Sequence, residues 1–134
     1  MNLKLHITKI IGNITKTIGD YMFEYLFGNA VIEKILFFLL KNEKTYPTAL
    51  SKVLKVPLFS CQMAFERLEK GGIVISILEG RTRIYQLNPR YPLRKELIRF
   101  LEKAYSFLPE EVQKKYYEIP IRTRPRRKGK PLND

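Results

Sequence analysis

The chain has 134 residues, 45% of them apolar, which is enough for one modest core and too little for two. Its 25 Lys and Arg against 13 Asp and Glu leave a formal charge of +12, so the partner to expect is polyanionic: nucleic acid or an acidic membrane surface. One cysteine, Cys61, excludes an internal disulfide and a multi-cysteine zinc cage; with His6 the only histidine, soft-metal ligands are nearly absent, and the usage fits a reducing, cytoplasmic location.

In residues 1–27, Lys4, Lys9 and Lys16 interrupt every apolar run, so neither a signal-peptide core nor a membrane span is expected. Ile7, Ile10 or Ile11, Ile14, Ile18, Tyr21 or Met22, and Tyr25 instead recur at helical spacing. Three surfaces would cover such a stripe: a second copy of the chain, its own core, or a membrane surface. Gly12 and Gly19 weaken the helix in isolation, and the reading preferred here is a dimerisation helix without membrane contact.

Residues 28–90 form the predicted central domain. After Gly28, Asn29 is the expected N-cap of a helix whose Val31, Ile32, Ile35, Leu36, Phe38, Leu39 and Leu40 are apolar nearly all round, as in a buried central element. Lys41-Asn42-Glu43-Lys44 is read as a polar connection, with Lys44 a candidate phosphate contact. Tyr46-Pro47 opens the next helix, since Pro in a first turn forfeits only an already unpaired donor. Its inner face is Ala49, Leu50, Val53 and Leu54, with Lys52 and Lys55 outward, and Val56-Pro57 stops it.

In the following helix Cys61, Ala64, Phe65 and Leu68 share one face, while Ser60, Gln62, Met63, Glu66 and Arg67 share the other; Gly71-Gly72 provides a left-handed ending. Ser60 and Gln62 are candidates for base edges or phosphates, Met63 for a thymine methyl, and Arg67 joins them as a DNA contact. The same residues would also serve as a plain solvated face; their neighbours decide for DNA. Residues 73–78 and 83–87 are β-branched or aromatic runs hinged at Glu79-Gly80-Arg81-Thr82, a hairpin whose Arg81, Thr82 and Arg83 would touch phosphates or the minor groove.

Two short helices followed by a cationic hairpin make the order of a winged helix-turn-helix. Residues 26–111 resemble the winged helix-turn-helix transcriptional regulators of bacteria and archaea, the ArsR and MarR-like group. The resemblance is carried by the buried 32–40 helix, by Ala49-Leu50-Ser51-Lys52-Val53-Leu54, by 60–68 running into Glu69-Lys70-Gly71-Gly72-Ile73-Val74, and by Gly80-Arg81-Thr82-Arg83-Ile84-Tyr85-Gln86-Leu87-Asn88-Pro89. It implies a homodimer with recognition helices near 60–67 and wings near 81–83. The chain departs from metal-sensing relatives in lacking their paired cysteines and histidine clusters, so no metal or other cofactor is expected.

Residues 91–119 are predicted to hold C-terminal helices. The first has Leu93, Leu97, Ile98, Leu101, Tyr105 and Leu108 inward, and its place resembles the C-terminal dimerisation helix of such regulators; Pro109-Glu110-Glu111 starts a second that reaches Tyr116-Tyr117. Residues 120–134 lose all apolar periodicity and carry Arg122, Arg124, Arg126, Arg127, Lys128 and Lys130 among prolines, a basic tail expected to be disordered when free and to reach phosphates or an A·T-rich minor groove.

No Gly-rich phosphate loop, serine elbow or His-centred constellation is present, so catalysis is not expected. The fold class is mainly α with a small β-hairpin, a winged helix-turn-helix with N- and C-terminal dimerisation helices. The function read from it is a sequence-specific, double-stranded DNA-binding transcriptional regulator acting as a homodimer in the cytoplasm, associated with the nucleoid. A non-catalytic adaptor in a nucleic-acid complex, or an RNA-binding module, is the alternative.

Overall fold

The structure, a computed structural model, describes residues 23–118. The expected N-terminal stripe as far as residue 22 and the basic tail with Arg122, Arg124, Arg126, Arg127, Lys128 and Lys130 lie outside the described residues. The elements in order are α1 (Glu24–Phe27), α2 (Ala30–Lys41), β1 (Lys44–Thr45), α3 (Pro47–Leu54), α4 (Leu58–Lys70), β2 (Val74–Glu79), β3 (Thr82–Leu87), α5 (Arg94–Ser106), α6 (Glu110–Val112) and a π-helical turn, Gln113–Tyr117. The fold is mostly helical with one small antiparallel sheet in the order β1-β3-β2, the arrangement of a winged helix-turn-helix.

Helix α2 begins where its cap requires: the Asn29 carboxamide oxygen accepts from the Val31 N–H at 2.7 Å and from the Ile32 N–H at 3.4 Å. Residues 32–39 are all buried, which places α2 at the centre of the core. Phe37 meets the rings of Phe23, Tyr105 and Tyr117 at centroid distances of 6.0, 6.0 and 5.7 Å, so the N-terminal turn, α5 and the π-helical turn converge on one side chain.

Burial of α2 extends to Glu33 and Lys34, which an all-apolar reading of this helix does not anticipate. Charges persist in such a place only with partners. Glu33 Oε1 accepts the Phe23 N–H at 2.6 Å, and Lys34 Nζ stands 4.2 Å from the centre of the Tyr116 ring. Tyr116 and Tyr117 are buried, packing rather than offering free rings.

At the end of the N-terminal stripe Tyr25 is 80% exposed, and Phe23 and Phe27 are the residues that turn inward, both edge-on to Phe100. One apolar expectation is corrected: Leu93 is not inside but 57% exposed, because α5 starts at Arg94 and Leu93 is only its cap. The polar connection 41–44 also holds an unanticipated strand: Lys44 and Thr45 pair with Gln86 and Tyr85 of β3.

Candidate nucleic-acid interface

Helices α3 and α4 are set by the turn between them. Lys55 takes a left-handed φ of 54° at the end of α3, the Val56 N–H donates to the Ser51 carbonyl, and the Ser51 hydroxyl donates to the Val56 carbonyl at 2.6 Å. Pro57 then opens α4 with no donor to satisfy. Cys61, Ala64, Phe65 and Leu68 form its buried face, as their spacing predicts. Burial in that apolar face pushes the Cys61 thiol up to about 11.

The hairpin is locked to α4. Phe65 stacks on Tyr85 with centroids 4.2 Å apart and planes 21° off parallel. Beside this stack, Arg83 Nη1 donates to Ser76 Oγ at 2.8 Å, and the Ser76 hydroxyl donates to the Glu69 carboxylate of α4. Burial and then the nearby Glu69 charge push the Tyr85 hydroxyl above its ordinary range. At the base, the Asn88 side-chain amide donates to the Gly72 carbonyl at 2.8 Å, and Gly72 has the left-handed φ of 73° expected of the helix ending. The tip is Gly80-Arg81 between the paired Glu79 and Thr82; φ is +64° at Gly80 and not positive at Arg81, the signs of a II′ turn.

These constraints distribute the sequence-predicted residues. Ser60, Gln62, Met63 and Arg67 all lie on α4, with Gln62, Met63 and Arg67 exposed and Ser60 half-buried. Ser60, Met63 and Arg67 line one recess of about 370 Å³ together with Asn29, Val31 and Phe59. Arg81 and Thr82 occupy the hairpin tip, whereas Arg83 is held against Ser76 on the flank. Lys44 is half-buried on the edge strand, opposite Gln86, apart from the α4 group in the chain's order of elements.

Sequence reasoning missed Phe59, the most exposed aromatic of α4 at 70%. The signal was available: Phe59 precedes Met63 by four residues and so shares its helix face. Glu66 and Lys70 form an exposed i,i+4 pair at 3.8 Å on the same outer side. Among the described residues no group of three or more His, Cys, Asp or Glu is placed to hold a metal ion, and no helix is long and apolar enough to cross a membrane.

The structure is similar to that of a doubly substituted Lactococcus lactis ZitR in its apo form, with a TM-score of 0.48 and 20% sequence identity over 79% of this chain and 77% of that one. At this distance the likeness assigns no function. No protein-family model matches the chain, and no curated protein matches it.

Proposed function

We propose that the chain is a sequence-specific, double-stranded DNA-binding transcriptional regulator of the ArsR and MarR-like kind, acting as a cytoplasmic, nucleoid-associated homodimer and without catalytic activity. The observation that carries this reading is the juxtaposition of a free α4 face with an Arg81-tipped hairpin, the two fastened together by the Phe65–Tyr85 stack. A helix offered to a major groove beside a cation offered to the flanking backbone is the geometry of winged-helix readout. The net charge of +12 supplies the non-specific attraction. In this reading Gln62 and Met63 address base edges, Ser60, Arg67, Lys44, Thr82 and Arg83 position the backbone, and the tail 120–134 adds phosphate contacts.

In vitro selection of duplexes from a random library tests it. An enriched motif with inverted half-sites about one helical turn, roughly 34 Å, apart is expected of a two-fold dimer. Recovery of no motif would reject sequence-specific binding.

One observation favours the adaptor reading: Leu58, Phe59 and Met63 put apolar area on the outer face of α4. An adaptor would show low, salt-insensitive affinity for duplex DNA, and a regulator a sequence-dependent footprint.

A further inference from the structure

Phe59 and Met63 are 70% and 48% exposed, on a helix that has already committed another face to the core. Standing four residues apart, they lie one above the other with Cβ atoms about 6 Å apart. Arg67 lines the same recess as this apolar pair, and Lys70, one turn beyond Glu66 on α4, is also exposed. The carboxylates of α4 are engaged: Glu66 with Lys70, and Glu69 with the Ser76 hydroxyl that Arg83 also contacts.

An apolar pair with Arg67 beside it, on a chain of net charge +12, fits a partner that is apolar at its centre and anionic at its rim. The DNA major groove has this character wherever its floor presents pyrimidine C5-methyl groups, since its walls are phosphate. The apolar surface of another protein would match the centre, but the rim would then require a dedicated acidic border.

Resting on the DNA-binding reading above, we propose that Phe59 and Met63 form a methyl-reading pair that selects thymine by its C5-methyl group. Specificity at these positions would come from apolar contact, whereas Gln62 beside them would act by hydrogen bonding.

The test uses the full chain and two versions of one duplex from the selected pool, one with thymine and one with every thymine replaced by deoxyuridine. The replacement removes methyl groups while keeping every base-pair hydrogen bond and every phosphate. Titrations followed by fluorescence anisotropy at fixed salt should show affinity falling about fourfold for each methyl contacted, the value expected from the transfer of one buried carbon. Phe59→Ala together with Met63→Ala should lower affinity for the thymine duplex and become indifferent to the replacement, while Phe59→Leu keeps the preference. Because both side chains are exposed, unchanged circular dichroism is expected for each variant. Equal affinity of the unaltered protein for both duplexes, or a thymine preference that survives the double substitution, overturns the methyl-reading pair and leaves DNA binding standing. Failure to bind either duplex overturns the DNA-binding reading and the inference with it.

Discussion

Helices α2 and α4 are almost equal in length, 12 and 13 residues, and both begin at well-marked boundaries. They differ in how much of their circumference the fold uses. From Ile32 to Leu39 every residue of α2 is buried, charged ones included, and rings from upstream and downstream close on Phe37. Helix α4 buries only Cys61, Ala64, Phe65 and Leu68 and leaves Phe59, Gln62, Met63, Glu66 and Arg67 outside. A helix packed all round has no freedom to acquire a ligand; one packed on a single face acts as a rigid platform for whatever stands on the other. The contrast marks α2 as scaffold and leaves α4 with the free face on which the proposed DNA contacts are placed.

Breaking the comparison at its scaffold end should give the largest effect. Phe37→Ala removes a fully buried ring that three aromatic neighbours touch, so it should cost about 3–5 kcal/mol of stability. Phe59→Ala should change stability by no more than about 0.5 kcal/mol, because its ring stands mostly in solvent. Urea unfolding of the two variants checks the pair of values, and equal losses would dissolve the distinction between the helices.

The second effect is smaller and sharpens what the free face does. Gln62→Ala should cost about 1–3 kcal/mol on the preferred site and alter the preferred base at one position, whereas Arg81→Ala should weaken all sequences alike and reduce the salt slope by about 0.9. Truncation after Pro120, which removes an arm that engages three phosphates if the tail reading holds, should reduce the same slope by roughly 2.7. Titrations of preferred and scrambled duplexes across a salt series separate these outcomes. Uniform losses for Gln62→Ala would show that it reads no base.

How far the sequence disclosed these two helices follows from the range of the interactions involved. The apolar run of α2, the Asn29 cap, the Pro47 start and the Gly80 turn are local signals, and each is found where the chain pattern places it. Burial of Glu33 and Lys34 was hidden, because it depends on a backbone N–H at Phe23 and a ring at Tyr116 that only the folded chain brings near. Strand β1 was hidden for the same reason, as two polar residues become a strand only beside Gln86 and Tyr85. Phe59 is a different case: it lies at the start of α4, one turn before Met63, and its exposure follows from the helix beginning at Leu58. The cationic hairpin was legible in Arg81 and Arg83, but the hydrogen bond from Arg83 to Ser76 across the two strands was not.

The smallest expected effect concerns the seam where α4 meets the core. Cys61 is completely buried there, and burial raises its thiol from 9.0 to about 11. A thiol reacts as its thiolate, so the folded protein should resist alkylation by iodoacetamide near neutral pH, while protein unfolded in urea should react readily. The pH dependence has a definite sign. With its acidity lowered on folding, Cys61 holds its proton in the native state over a range where the unfolded chain has lost it, so unfolding releases a proton there. The contribution is present in full below pH 9.0 and declines as pH rises toward about 11. Stability measured by urea unfolding should therefore fall more steeply over that window in the parent protein than in Cys61→Ala, after allowance for the constant loss from the smaller side chain. Identical slopes for the two proteins, or native alkylation as fast as that of the unfolded chain, would mean that the inner face of α4 is open to water and that its contrast with the outer face is weaker than the packing implies.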